Sequence, residues 1–235
     1  DLHSFPTRRS SDLASESVLT RDEQDLGVAL IDIGGGTTDL AIFEKGSIWH
    51  TAVLPAGGDH FTNDLAVGLR TPIPDAERLK KKHGCALATL VQGDEAIEVP
   101  SVGGRKPRML SRQVMAEILQ PRAEEIFTLI HEEIRRSGFE NLLNAGVVLT
   151  GGGALLAGML EVAEQVFDLP VRLGQPAGVS GLTEPTSGPQ FATAVGLALY
   201  SAHNLGKDQP RPFNVHPGAF LRIGTFVRSL FAEMF

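Results

Sequence analysis

Apolar positions along the chain fall into two patterns, short continuous runs and longer stripes at helical spacing. Val28–Ile33 (VALIDI) is a brief run rich in branched residues, which predicts a strand buried on both faces. A turn of Gly34, Gly35 and Gly36 follows, then Thr37, Thr38 and Asp39. Leu40–Phe43 predicts a second strand, Glu44–Lys45–Gly46–Ser47 a hairpin turn, and Ile48–Leu54 a third strand. Strands linked this tightly form an antiparallel meander. From Asp59 the spacing turns helical, with Phe61, Leu65, Ala66 and Leu69 on one stripe that Thr71-Pro72-Ile73-Pro74 ends. Asp75 is expected to cap a second helix, through Ala76, Leu79 and Lys82 toward Gly84. Residues 86–110 alternate loosely around Gly103–Gly104, which predicts strands or a hairpin.

The longest helical stretch is Ser111–Arg136. Val114, Ile118, Ile126, Leu129, Ile130 and Ile134 form its stripe, and Pro121 is expected to kink it. Gly146–Thr150 (GVVLT) predicts a further buried strand. After Gly151–Gly152–Gly153 come an expected helix Leu155–Phe167, a short strand Val171–Leu173 and a core helix Phe191–His203. That last helix is expected to pack through Ala194, Val195, Leu197, Ala198 and Leu199. Residues 204–217 read as a linker punctuated by Pro and Gly. In Gly218–Phe235, Phe220, Ile223, Phe226, Val227, Leu230 and Phe231 share one helical face, with Arg222 and Arg228 on the other. The two arginines prevent it from spanning a bilayer. It suits the headgroup layer of an anionic leaflet, although by pattern alone an apolar helix after a linker more often docks on the core or a partner.

Residues 3–13 (HSFPTRRSSDL) have neither helical nor strand period. They resemble the translation of a sequencing adapter, so residues 1–13 are set aside as an artefact or a disordered tail. The fold is expected to begin near Ala14, and the natural protein to extend upstream.

Composition narrows the classes further. A net charge of −7 over 235 residues argues against nucleic acid as the main partner. The single cysteine, Cys85, permits no internal disulfide and no cysteine-based metal site. It reads as a buried packing residue, and a reduced compartment fits.

The chemistry concentrates in the two glycine turns. A glycine run after a buried strand exposes main-chain amides without Cβ obstruction, as an anionic phosphate requires. Thr37 and Thr38 add hydroxyls, and Asp32 is placed to hold Mg²⁺ through water. An ordinary strand turn would also tolerate three glycines, but not for the same reason would it carry the flanking acids and threonines. The second turn, VVLTGGGALLAGM (Val147–Met159), lies between a strand and an expected helix whose dipole would face it. As a dinucleotide fingerprint it lacks the third glycine and the later acidic residue.

Around these turns the chain resembles the FtsA family of bacterial cell-division proteins, within the actin-like ATPase superfamily. The matching stretches are VLTRDEQDLGVALIDIGGGTTDLAIF, IPDAERLKKKHGCAL, IEVPSVGGRKPR, ILQPRAEEIF, GVVLTGGGALLAGM and ATAVGLALY. HGCA followed by VPSVGG is specific to the family, whereas glycine turns alone indicate the superfamily. The resemblance implies an α/β fold, an actin-like (ribonuclease H-like) ATPase lobe with an inserted smaller subdomain, plus a C-terminal amphipathic helix. Residues 14–60 and 145–203 would form the nucleotide-binding subdomain and 61–144 the insertion. Residues 204–217 would be the linker and 218–235 the membrane-targeting helix. The family's first lobe, with its other phosphate loop, has no counterpart here.

By the same resemblance Gly34, Gly35, Gly36, Thr37 and Thr38 would meet the phosphates of ATP, with Asp32 on the Mg²⁺ shell. Glu77 and Lys80 would contact the ribose and base, although an (i, i+3) pair on a helix is more often a solvated ion pair. Gly151, Gly152 and Gly153 would pass beneath the adenosine. No residue is an obvious general base, so the expected role is an adaptor with at most slow hydrolysis. Implied partners are the FtsZ C-terminal tail, further copies in a filament, anionic inner-membrane lipids and other divisome proteins. The implied place is the cytoplasmic side of the inner membrane, at the septum. Arg105, Arg108 and Arg112, with Lys106, could dock the acidic FtsZ tail or form a solvated loop. Two rivals share the actin-like core: a small-molecule kinase, and a DnaK-like chaperone ATPase that would continue into a peptide-binding domain.

Overall fold

The computed structural model describes residues 10–92, 95–179 and 187–205. The amphipathic segment 218–235 and most of the expected linker lie outside the described residues. Helices α1 (Ser10–Val18) and α2 (Arg21–Leu26) precede strands β1 (Val28–Ile33), β2 (Thr38–Glu44) and β3 (Ser47–Leu54). Next come α3 (Gly58–Gly68), α4 (Ile73–His83), β4 (Ala96–Val99), β5 (Arg108–Ser111) and α5 (Arg112–Ser137). The order closes with β6 (Val147–Thr150), α6 (Met159–Phe167), β7 (Val171–Leu173) and α7 (Ala192–Leu205).

The meander forms as the pattern predicts, β1–β2 and β2–β3 both pairing antiparallel. On its other side β1 pairs parallel with β6, and β6 with β7, giving the order β3-β2-β1-β6-β7. This arrangement explains why VALIDI is apolar throughout. Ala29, Ile31 and Ile33 face a core shared with Phe61, Leu65, Ile126, Phe127 and Val162, from α3, α5 and α6. Val28 and Leu30 face the opposite layer, with Ala41, Phe43 and Val148 against Ala14 and Val18 of α1 and Ala192 of α7. A central strand covered on both sides cannot alternate with polar residues. Each such Leu, Ile or Phe contributes roughly 1.5–3 kcal/mol by burial.

The region 61–144 builds the predicted hairpin, β4 antiparallel to β5, and inserts Ile97 and Val99 into the core beside Leu69, Ala76 and Leu79. At the other edge, the Glu23 carboxylate takes two bonds from Arg172 on β7, at 2.5 and 2.7 Å, while completing the capping box of α2.

Four expectations shift. Packed structure is already present at Ser10–Val18, ahead of the expected start near Ala14, with Ser11 and Ala14 both buried. Helix α4 starts at Ile73, so Asp75 lies in its first turn and does not cap it. Pro74 is accommodated there because the first turn needs no donor from it. Helix α5 runs unbroken through Pro121. Its buried stripe is Met115, Leu119, Ile126, Phe127, Ile130 and Ile134, while Val114 and Leu129 are exposed. In α7 Val195 is buried, but Ala194, Leu197 and Ala198 face outward. A helix apolar all round carries little phase information in its sequence.

Phe127 meets Phe167 of α6 edge-on at 5.7 Å, at the centre of the α5–α6 contact. Replacing it with Ala is expected to cost about 3–5 kcal/mol, and Val114→Ala under about 1 kcal/mol. Denaturant midpoints of the two variants check this order; equal losses would place the core on the wrong face of α5.

Candidate functional site

The first glycine turn joins the ends of β1 and β2. Its geometry comes from α3. The Gly34 carbonyl accepts from the Gly58 amide at 2.9 Å, and the Gly35 carbonyl from the Asp59 amide at 2.8 Å. No described peptide bond is cis. In a planar trans peptide the carbonyl and the following N–H point opposite ways. Anchoring the carbonyls of Gly34 and Gly35 on α3 therefore turns the amides of Gly35 and Gly36 outward. Among the described residues no main-chain acceptor takes either amide. A Cβ at Gly36 would meet nothing within 4 Å, and one at Gly35 only ordinary contacts with Asp59. Neither glycine has a positive φ. Folding alone does not demand glycine at these two positions.

The second turn follows the opposite rule. Because β1 and β6 are parallel and pair Asp32 with Thr150, Gly151 emerges directly beside the first turn. A Cβ on Gly151 would fall 2.3 Å from Asp32 Oδ1 and 2.5 Å from the Ile33 carbonyl oxygen, at φ +85°. Here glycine is required by close approach of the backbone. Gly152 is exposed and Gly153 half-buried. The expected helix from Leu155 is corrected: a 3₁₀ turn spans Gly152–Leu155, and α6 starts only at Met159. The α6 dipole thus does not bear directly on the glycines, since that effect fades within one turn.

Asp32 stands between the two turns, opposite Asp39 in the β1–β2 register. Burial pushes its carboxyl above the usual carboxylate range and the Asp39 charge adds to this, while a hydrogen bond from Thr193 Oγ1 at 3.0 Å opposes it. Two neighbouring acids with so little positive charge beside them suit a hydrated divalent cation. The donor set therefore fits Mg²⁺ held through water by Asp32. Among the described residues there is no group of three or more His, Cys, Asp or Glu that would bind a metal directly.

Of the two threonines, Thr37 is exposed on the turn. Thr38 is fully buried, and its hydroxyl donates to the Ala56 carbonyl at 2.7 Å. The expectation of a phosphate contact from the Thr38 hydroxyl is corrected accordingly.

Glu77 and Lys80, one turn apart on α4, meet at 2.6 Å. Lys80 Nζ also donates to the Gly58 carbonyl and to Thr62 Oγ1, both at 2.8 Å. The Thr62 hydroxyl in turn donates to Glu77. Burial raises the Glu77 pKa, but hydrogen bonds from Lys80 and Thr62 and the charges of Lys80 and Lys81 outweigh it, leaving the carboxyl below its usual range. After α4, the buried Cys85 bridges to Ala157, and the Ala86 amide donates to the Ala157 carbonyl at 2.7 Å. The HGCA stretch thus ties α4 to the segment following the second glycine turn.

The basic cluster divides. Arg112 donates to the His83 carbonyl and to Glu95, both at 2.7 Å, and Arg108 to the Leu69 carbonyl. Arg105 and Lys106 are exposed beside the β4–β5 turn. The fold thus engages two of the three arginines expected to dock a partner. A groove of about 550 Å³ lies elsewhere, between β3 and α5, lined by Val53, Leu129, Glu133 and Arg136 among others. The glycine turns do not border it; they form an open face. No described helix is long and apolar enough to cross a membrane.

Sequence reasoning missed Thr193, which reaches Asp32 from 161 positions away, and the Gly58–Asp59 amides that set the first turn. Nothing local marks Thr193. The Gly57–Gly58 pair at the start of α3 is the only hint of the second.

A meander continued by two parallel strands, with glycine turns at the ends of adjacent central strands, is an actin-like lobe in fold, and solved structures agree. MreB5 of Spiroplasma citri, bound to ADP, superposes with a TM-score of 0.63 at 23% identity, over 84% of this chain and 60% of its own. A MamK double helical filament gives 0.59 at 17% identity, over 86% and 59%. Likeness at this identity concerns the fold. The sequence places the chain more narrowly, because the family model described as "Cell division protein FtsA" matches residues 29–196. The chain is 56% identical over 184 residues to cell division protein FtsA of Pseudomonas aeruginosa, covering 78% of this chain and 44% of the relative. With that of Escherichia coli K12 it is 47% identical over 194 residues, covering 80% and 46%. The chain belongs to the FtsA family. It spans about half the length of the curated relatives it matches.

The depressed Glu77 pKa sets a pH dependence. A carboxylate of this kind stabilises the fold fully above its unfolded value, ordinarily 4.5, and the contribution is lost as pH falls through the lower folded value. The stability of Glu77→Gln is therefore expected to lie below that of the parent near neutrality and to converge with it in acid. Denaturation series across that window check this; parallel curves would contradict it.

Proposed function

We propose that this chain is the second lobe of an ATP-binding, self-assembling adaptor that ties the FtsZ division ring to the cytoplasmic membrane. One observation carries the nucleotide reading: the amides of Gly35 and Gly36 face outward beside Gly151–Gly153, where folding does not require glycine at the first pair. A polyphosphate is the ligand that such unobstructed donors fit. Gly34–Gly36 and Thr37 would hold the β- and γ-phosphates, and Gly151–Gly153 would pass beneath the adenosine with Glu77 near the ribose. Mg²⁺, when bound, would neutralise phosphate charge, with Asp32 holding one of its waters. Nucleotide-bound MreB5 supports this reading through its shared fold.

Self-association is supported by the same fold, which MamK uses in a double helical filament. Membrane attachment rests on the sequence of residues 218–235, in which helical spacing would set Phe220, Ile223, Phe226, Val227, Leu230 and Phe231 opposite Arg222 and Arg228. The exposed Arg105 and Lys106 are the residues of the basic cluster best placed for the acidic FtsZ tail. These assignments put the protein at the septum with other divisome components.

In full-length protein containing this chain, Gly36→Ala is expected to leave the melting temperature unchanged yet weaken Mg-ATP about tenfold or more, because the new methyl enters the ligand's space. Gly151→Ala is expected to lower stability itself, since φ +85° and contact with Asp32 both resist a side chain. Calorimetry of both variants separates the roles; unchanged ATP affinity in Gly36→Ala contradicts the phosphate assignment. Full-length protein is also expected to pellet with anionic vesicles, and protein truncated before Gly218 to stay in solution. Equal pelleting would remove the membrane assignment.

A further inference from the structure

Asp32 is paired in the sheet on both sides, with Asp39 of β2 and Thr150 of β6. Its backbone is therefore fixed, and the freedom left to it is rotation of the side chain. The segment entering α7 restrains that rotation. A 3₁₀ turn, Pro189–Phe191, leads into the helix, and the Pro189 carbonyl accepts from the Gly151 amide at 3.2 Å. This bond docks the start of α7 on the second glycine turn. One turn further on, Thr193 Oγ1 donates to Asp32 Oδ2 at 3.0 Å, across 161 positions of sequence. Branching at Cβ leaves a threonine few rotamers, so the docked hydroxyl has little freedom to turn away.

The other carboxylate oxygen, Oδ1, lies against Gly151, where an added Cβ would stand 2.3 Å away. One oxygen is thus located by contact and the other by a donor. Among the described residues Thr193 is the only side chain that donates to Asp32. A single bond from a neutral hydroxyl leaves the carboxylate its charge and most of its roughly four lone-pair sites. An arginine or lysine in the same place would cancel the charge that a hydrated cation needs. We propose that Thr193 is a positioning residue for Asp32: its hydroxyl holds the carboxylate in one orientation beside the two glycine turns, where it can accept from a water of Mg²⁺. The proposal deepens the nucleotide reading and rests on it for the ligand, though not for the restraint on Asp32.

The test uses full-length protein containing this chain and two probes, ATP with Mg²⁺ and ATP with EDTA. Thr193→Val keeps the shape and removes the donor. It is expected to weaken Mg-ATP about tenfold, the scale of one hydrogen bond to a charged group, and to leave metal-free ATP within about twofold. Thr193→Ala, which also lacks the donor, is expected to do the same, and Thr193→Ser to restore the parent affinities. Equal loss for both probes, or no loss for either, overturns the proposal. Side-chain couplings of Asp32 without nucleotide supply the second arm. A single rotamer is expected in the parent and in Thr193→Ser, and averaged couplings in Thr193→Val with the melting temperature preserved. One unchanged rotamer in Thr193→Val refutes the restraint. Averaged couplings in a protein whose parent binds neither probe uphold the restraint and defeat the nucleotide reading alone.

Discussion

The parallel pairing of β1 with β6 is the constraint on which everything else depends. These strands are neighbours in the sheet but lie more than a hundred positions apart in sequence, and the register Asp32 with Thr150 brings both glycine turns to one edge. Parallel neighbours end on the same side, so whatever follows β1 and whatever follows β6 must share a face. The pairing is held by burial on both sides of β1, by helices α3, α5 and α6 in one layer and α1 and α7 in the other. Without it the turns would be two unrelated loops.

Glycine does two different jobs in the two turns. At Gly151 and Gly153 it permits backbone to pass over Asp32 and Ile33, where any side chain would collide. At Gly35 and Gly36 the surrounding protein would tolerate a methyl, and glycine keeps the surface bare. The direction of the bare amides comes from α3, through two hydrogen bonds to carbonyls. Lys80 of α4 donates to the Gly58 carbonyl at the start of α3, so α4 is tied by hydrogen bonds to the residues that hold the first glycine turn. The Cys85–Ala157 bridge makes a second tie, from the residues after α4 to the segment that follows the other turn.

Much of this was legible in the sequence, for identifiable reasons. Val28–Ile33 and Val147–Thr150 are buried on both faces, and continuous branched runs announce that directly. The hairpins declared themselves through Lys45–Gly46 and Gly103–Gly104, which all adopt the positive φ such turns use. In α5 the expected Ile126, Ile130 and Ile134 are buried, but Met115 and Phe127 complete a stripe that Val114 and Leu129 only neighbour. Thr38 looked like a phosphate ligand because a hydroxyl beside a glycine turn carries no sign of which way it faces; the β2 pleat sends it inward to Ala56. The start of α6 was placed too early because Gly152–Leu155 can be helical without being α-helical. Thr193 could not be foreseen at all, since only tertiary packing brings α7 to Asp32.

Selective glycine labelling of full-length protein, titrated with Mg-ATP and followed by amide resonances, tests the central claim most directly. Convergence on one polyphosphate ligand predicts that Gly35 and Gly36 shift together with Gly151, Gly152 and Gly153, along a single binding isotherm. Shifts confined to one turn, or two isotherms with different midpoints, would contradict it.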